Sequence, residues 1–347
     1  MKAVVYETFS TRPEIRTVPD PQLTAAGALV KVEATGVCRS DWHTWVGHDS
    51  SIVLPHVPGH EFAGTVIAAG KDVTRWRAGD RVTMPFSSGC GHCQQCRTGN
   101  QHICDVPFAP GFSHWGSFAQ YVAIEQADLN LVRLPDALAF SAAASLGCRF
   151  VTAFRAVVER GGVRPGEWLV VYGCGGVGLS AIMIGHALGA QVVAVDIASE
   201  KLKLAKSLGA DVCIDVNVVQ DIPAAIVDST RGGAHVSIDA LGHKVACFNS
   251  IMSLRKRGRH VQVGLMVGPQ SLPQIPMETV LEKELNIYGS LGMQSHAYEP
   301  MFSMIGRGIL PIDRLIGATT DLQGSINALI AMENSDAPGV TVVTDFS

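Results

Sequence analysis

Three short stretches carry residue types that together can hold a metal. The run Cys38-Arg39-Ser40-Asp41-Trp42-His43 sets a thiol beside a fixed positive charge, a hydroxyl, a carboxylate and an imidazole. Gly59-His60-Glu61 adds a second kind of ligand with a carboxylate next to it, and Leu146-Gly147-Cys148 adds a third ligand far along the chain. Cys, His and Cys make an open zinc set, three protein ligands with a fourth position left for water or substrate. Zinc held in this way acts as a Lewis acid: it lowers the pKa of bound water to ~7 and acidifies an alcohol by the same effect. Two thiolates among the ligands reduce the metal's net positive charge, so a deprotonated substrate is not held too tightly to react.

A second cysteine pattern is local. Cys90, Cys93, Cys96 and Cys104 follow the spacing C-x2-C-x2-C-x7-C. Four thiolates at that spacing can converge on one point, and an all-thiolate sphere is a closed structural zinc site. Four thiolates fill the sphere, so the interleaved His92 and His102 are expected to be bystanders. Two zinc ions per chain follow. Cys174, Cys213 and Cys247 have no partner motif and read as core thiols.

A third pattern binds a nucleotide. Gly173-Cys174-Gly175-Gly176-Val177-Gly178 follows the strand-like run Trp168–Tyr172 and opens a helical pattern carrying Leu179, Ile182, Met183 and Leu188. In that context Gly173 makes the tight turn, Gly175 lets backbone approach a pyrophosphate, and Gly178 permits close helix–strand packing. Asp196 closes the next strand, 18 residues after Gly178. A carboxylate there accepts hydrogen bonds from ribose hydroxyls and repels a 2′-phosphate, and Ile197-Ala198 brings no arginine to attract one. NAD is favoured over NADP.

These residues need two kinds of scaffold. Residues 1–85 alternate short apolar runs (Leu29–Val32, Phe62–Ile67, Arg81–Met84) with Gly, Pro and Asp turns, a pattern for a small, barrel-like, β-rich catalytic domain. From about residue 165 six strand-like runs, ending with Asn286–Gly289, are mostly separated by helical patterns, which predicts a doubly wound parallel sheet. The expected organisation is a catalytic domain over 1–150, a Rossmann coenzyme domain over 151–290, and a return to the catalytic domain over 291–347. The fold class is α/β.

Composition narrows the function classes. The chain has 347 residues, a net charge of −4 and 47% apolar residues; this excludes gross disorder and gives no sign of a nucleic-acid partner. The one basic cluster, Arg255-Lys256-Arg257 with Arg259, is expected at a helix C-terminus, where cations favour the helix dipole. The first residues lack the apolar core of a signal peptide, and no apolar run is long enough for a membrane span. Nine cysteines in such a chain point to metal binding in a reducing, cytoplasmic setting.

Taken in order, Gly36-Val37 with the run Cys38–His43, Pro58-Gly59-His60-Glu61, the four-cysteine loop, Leu146-Gly147-Cys148-Arg149-Phe150-Val151-Thr152-Ala153 and the glycine loop with Asp196 identify a family. The chain resembles the zinc-containing alcohol dehydrogenases of the medium-chain dehydrogenase/reductase superfamily over nearly its whole length. The resemblance implies that Cys38, His60 and Cys148 hold the catalytic zinc, with Glu61 behind it as a transient ligand and Asp41 bonded to His60. It implies that Ser40 takes the substrate proton and passes it through the cofactor ribose to His43 and on to solvent, for which the ordinary imidazole pKa of ~6.5 is well placed. Arg39 would meet the pyrophosphate, Thr152 and Val177 the nicotinamide, and Lys201 the adenosine ribose; Gly176 belongs to the same loop. Trp45, Phe86 and Trp115 flank the metal segments and are candidates to line an apolar pocket for primary or aromatic alcohols. Cysteine at 148, where polyol and threonine dehydrogenases place an acidic residue, favours simple alcohols over a polyol or amino-alcohol substrate. The resemblance to shorter microbial members implies a homotetramer. One departure is that Gly339 is followed by Val340 where relatives often have an arginine that touches the pyrophosphate.

Overall fold

The computed structural model describes residues 1–333 and 338–347. The chain divides into two compact units: the first is Met1–Val151 with two later stretches beginning at Gly292 and Val340, and the second is built on Thr152–Leu291.

The first unit contains β1 (Lys2–Val5), β2 (Glu14–Thr17), β3 (Ala28–Val37), β4 (Glu61–Ala69), β5 (Arg81–Thr83), β6 (Tyr121–Ile124) and β7 (Val132–Arg133). The second contains β8 (Trp168–Tyr172), β9 (Gln191–Asp196), β10 (Val212–Asp215), β11 (Ala234–Asp239), β12 (Leu254–Gln262) and β13 (Asn286–Gly289). After Gly292 the chain adds β14 (Ile316–Asp321) and β15 (Val340–Asp345) to the first unit.

The sheet of the first unit runs β14-β15-β3-β4-β5-β7, with β6 also on β3. No pairing among the described residues closes it into a barrel; its far end is formed by the short β5 and β7. Long β3 organises it. One side of β3 pairs with β4 nearly throughout, while the other takes β6 at Ala28–Lys31 and β15 at Thr35–Val37. Its first half alternates buried and half-exposed positions, and Val30 and Val32 pack with Phe62, Val66, Val82 and Met84. From Ala34 to Val37 every residue is buried, because the helix Phe140–Ala144 packs on β3 and β4 there. The chemistry-bearing run starts where this covered strand ends.

The second unit holds a six-stranded sheet in the order β10-β9-β8-β11-β12-β13, every pair parallel. Its central strands β8, β9 and β11 read as apolar runs and are buried along nearly their whole length. The order reverses between β8 and β11, and ligands of such sheets bind outside the carboxyl ends of the strands at that reversal.

Two expectations fail here. The helix before the basic cluster ends at Met252, and Arg255, Lys256, Arg257 and Arg259 lie in β12 rather than at a helix terminus. Two of them meet side-chain partners instead of a dipole: Arg259 pairs with Glu167 at 2.6 Å and Arg255 bonds His235. Cys213 is exposed on edge strand β10, so it is not a core thiol, whereas Cys174 and Cys247 are buried.

Candidate metal and cofactor sites

Strand register brings the first two metal-binding segments together. Gly36 of β3 lies opposite Glu61 of β4, so Cys38, two residues past Gly36, comes level with the segment leading into β4. Gly59, at φ 102°, lets that segment turn; a Cβ would stand 2.5 Å from the Phe118 ring. Cys148 arrives from a π-helical turn, Leu146–Phe150, a local widening that often marks functional sites. Gly147 lets the turn approach β4, and its carbonyl accepts the Phe86 N–H at 2.8 Å. One donor atom from each of Cys38, His60, Glu61 and Cys148 lies within 4.8 Å of all the others, and all four residues are buried.

A buried carboxylate orients this group. Asp41 accepts the Cys38 N–H on Oδ2 at 2.9 Å, and the Gly59 N–H at 2.9 Å and His60 Nδ1–H at 2.8 Å on Oδ1. With Nδ1–H on Asp41, His60 turns Nε2 into the cluster, where it is buried with no hydrogen bond of good geometry among the described residues; against burial, Asp41 and Cys38 hold the ring well above its ordinary pKa. A buried imidazole nitrogen that faces two thiols without a well-formed hydrogen bond is a poor protein interior and a good metal site. The residues therefore fit a zinc ion. Without one, the two thiols compete for charge: their mutual hydrogen bond holds Cys38 well below its ordinary value and pushes Cys148 well above. Burial pushes Glu61 up to about 7 against the opposing pull of Arg149.

The four-cysteine loop is equally compact, with Cys90, Cys93, Cys96 and Cys104 donor atoms within 4.8 Å of one another. Cys90 and Cys96 sulfurs stand 4.0 Å apart and those of Cys93 and Cys104 3.7 Å, and all are free thiols. Backbone N–H groups of Cys93, Cys96, Cys90 and Val106 point at sulfurs at 3.3–3.4 Å, an arrangement that favours thiolates. His92 instead turns to its neighbour's backbone at Cys90, and His102 is buried.

In the second unit Gly173 sits at φ 93°, and a Cβ at Gly178 would stand 1.7 Å from the Gly173 carbonyl, so the turn needs both glycines. A Cβ at Gly175 would meet nothing within 4 Å. That open side, at the start of the helix Gly176–Ala187, suits a pyrophosphate on helix-terminal N–H groups. Asp196 ends β9 and ties the loop down, Oδ2 accepting the Cys174 N–H at 2.6 Å and Oδ1 the Ala198 N–H at 2.9 Å. Both oxygens retain lone pairs for a ribose.

Known proteins are similar to this chain in sequence and in fold. Residues 24–136 match the alcohol dehydrogenase GroES-like domain and residues 176–307 the zinc-binding dehydrogenase domain. An alcohol dehydrogenase of Geobacillus stearothermophilus is 38% identical over 293 residues, 84% of this chain and 85% of the relative. The chain belongs to the zinc-containing alcohol dehydrogenases of the medium-chain superfamily. Among solved structures, an NAD-dependent alcohol dehydrogenase superposes with a TM-score of 0.90 at 28% identity, covering 100% of both chains. Benzyl alcohol dehydrogenase from Acinetobacter calcoaceticus gives 0.91 at 26% identity, covering 99% of each.

The remaining site residues of this dehydrogenase fall into three groups. Close to the metal cluster, Ser40 Oγ lies 3.8 Å from Cys38 Sγ, and Phe86 and the unforeseen Phe112 set their rings 6.2 and 4.8 Å from the His60 ring. Phe112 lies in a loop without any motif, so no sequence signal marks it. On the helix Arg39–Trp45, the Arg39 guanidinium covers the Trp42 ring and bonds the Met332 carbonyl. His43 Nδ1 meets His48 Nδ1 at 2.9 Å, and burial first, then His48 and Arg39, lower its pKa to about 4. It is therefore neutral at pH 7 and not poised near 6.5. Third, Trp45 is a core side chain packed with Val4, Tyr6 and Phe118, its indole N–H on the Thr11 carbonyl, which corrects its assignment to the pocket. Trp115 is exposed and donates to the Pro55 carbonyl. Thr152 Oγ1 is buried without a hydrogen bond, Lys201 is half-buried in the helix Ser199–Ser207, and Val340 is a buried residue of β15.

Proposed function

We propose that this dehydrogenase interconverts primary or aromatic alcohols with their aldehydes, using NAD, one zinc held by Cys38, His60 and Cys148, and a second held by Cys90, Cys93, Cys96 and Cys104. The observation that carries the reading is the buried Nε2 of His60, facing two thiols without a well-formed hydrogen bond while Asp41 holds Nδ1. When bound, zinc supplies Lewis acidity to the substrate hydroxyl and NAD accepts the hydride.

The chain's own groups do the rest. Asp41 holds the His60 ring and the Cys38 backbone in one orientation. Ser40, next to the cluster, takes the hydroxyl proton, and neutral His43 accepts it in turn before it leaves to solvent. Phe86 and Phe112 wall the His60 side with apolar surface, which excludes water and favours an aromatic or alkyl substituent. Gly173, Gly175, Gly176, Val177 and Gly178 form the pyrophosphate turn, with Arg39, Thr152 and Lys201 as further cofactor contacts, and Asp196 selects NAD by repelling a 2′-phosphate. Free thiols throughout suit a reducing cytoplasm. Exposed Leu272, Met277 and Leu281, with Ile287 on edge strand β13, support self-association as a homotetramer.

The test joins zinc stoichiometry to NAD- and NADP-linked assays over primary, secondary, aromatic and polyol substrates. Two zincs per chain and NAD-linked turnover of primary or aromatic alcohols are expected. Preference for polyols would move the substrate class, and one zinc without turnover would remove the site built on Cys38.

A further inference from the structure

Arg149 has no part in the chemistry assigned so far, yet all three of its guanidinium nitrogens are hydrogen-bonded. It is buried, and it follows Cys148 on the same π-helical turn. Its Nε donates to Glu61 Oε1 at 3.0 Å, its Nη2 donates to Glu61 Oε2, and its backbone N–H reaches Oε1 at 2.9 Å. Its Nη1 donates to the Val37 carbonyl at 3.1 Å. Val37 precedes Cys38, Glu61 follows His60, and Arg149 follows Cys148. One guanidinium thus ties together the three chain segments that bring the ligands.

Glu61 is the critical partner. Its carboxylate belongs to the same cluster of donor atoms as the two cysteines and the histidine. Carboxylate oxygen is a good zinc ligand, so Cys38, His60, Cys148 and Glu61 together could complete a closed tetrahedral set with no place for substrate. Three N–H donors instead occupy both oxygens of Glu61, and moving either oxygen to a metal would leave buried guanidinium donors unpaired. Room for this clamp is built into β3. A Cβ at Gly36 would lie 2.6 Å from Glu61 Oε2 and 2.8 Å from Arg149 Nη2.

We propose that Arg149 is a positioning residue that clamps Glu61 and thereby keeps the fourth position of the metal open for substrate. The proposal rests on the reading of Cys38, His60 and Cys148 as zinc ligands. The experiment uses the full-length protein with cobalt exchanged for zinc and imidazole as the probe ligand. The four-cysteine site has no open position, so a visible-band shift on adding imidazole reports the open site alone.

Wild type is expected to bind two metals and to shift with imidazole. Arg149→Met should lose the shift, because Glu61 fills the position, and kcat should fall at least tenfold. Adding Glu61→Gln to Arg149→Met should restore the shift and most of kcat, which a merely structural arginine would not allow. A wild-type-like imidazole response in Arg149→Met overturns the clamp, and so does a folded double variant that stays unresponsive. If Arg149→Met does not fold, Arg149→Lys decides. It keeps the charge but cannot span both oxygens and Val37, so a reduced response rescued by Glu61→Gln is expected, and an unchanged response overturns the proposal. A wild type that binds one metal, or never responds to imidazole, sinks the zinc reading itself; two metals and a responsive wild type with unaffected Arg149 variants sink only the clamp.

Discussion

Replacing Asp41 with asparagine isolates one charge at the metal site while keeping the side chain's shape. The native carboxylate takes three donors: Cys38 N–H on one oxygen, Gly59 N–H and His60 Nδ1–H on the other. An asparagine keeps one oxygen. If it faces Gly59 and His60, its amide N–H2 confronts the Cys38 N–H and strands a buried donor, at a cost of about 1–3 kcal/mol. The flipped amide strands two donors and is worse. In either pose His60 loses its anionic partner, and removal of such outer support weakens metal binding roughly 10–100-fold, which is about 1.4–2.8 kcal/mol. Asp41→Asn should therefore lose one zinc per chain to a chelator 10–100-fold more readily, while the zinc of the four-cysteine loop is unaffected and serves as the internal control. The assay is competition with a chromophoric chelator, read beside a thermal melt. Two zincs retained with wild-type affinity would refute the idea that Asp41 sets the His60 tautomer for a metal.

Other outcomes follow from the same geometry. Asp196→Asn keeps an acceptor for the Cys174 N–H but removes the charge, so the NADP/NAD ratio of kcat/KM should rise at least tenfold, about 1.4 kcal/mol; an unchanged ratio would count against Asp196 as the selector. Cys96→Ala should remove one zinc and open residues 90–104 to limited proteolysis with the Cys38 site still loaded; two zincs in the variant would contradict the four-thiolate assignment. His48→Gln removes one of the groups that hold the His43 pKa down to about 4. His43 accepts a proton only when neutral, so a raised pKa moves the acid-side loss of alcohol oxidation to higher pH; a kcat–pH profile that does not move would remove His43 from the relay.

Patterns confined to a short stretch were the most legible. The four cysteines span fifteen residues, and the glycine loop is one strand-to-helix turn, so backbone geometry over a few bonds nearly decides where those atoms go. Of the six parallel strands, β8, β9 and β11 were visible for a related reason: burial on both faces leaves nearly uninterrupted apolar runs. β12 was read too short because its first half carries Arg255, Lys256 and Arg257, and a run of charged residues lacks the apolar pattern that marks a strand. Trp45, His43 and Cys213 were misjudged on environment. Whether a ring faces a core, an imidazole is desolvated or a thiol lies on a sheet edge depends on what packs beside it, and sequence spacing carries no such information.

What the sequence determined by itself, then, is the chemistry available: two sets of zinc-ligand types, a glycine-rich turn between strand and helix, and a carboxylate at the end of the next strand. The resemblance of its landmarks to a family linked the scattered residues Cys38, His60 and Cys148. Only the tertiary structure decided how they are held. The β3–β4 register, the missing side chain at Gly36 of β3 and the π-helical turn after Ser145 bring Asp41 to His60 and Arg149 to Glu61 across 19 and 88 residues of chain. Contacts at such separations are selected by the packing of whole strands and helices, in which a buried charge persists only where its partner also arrives.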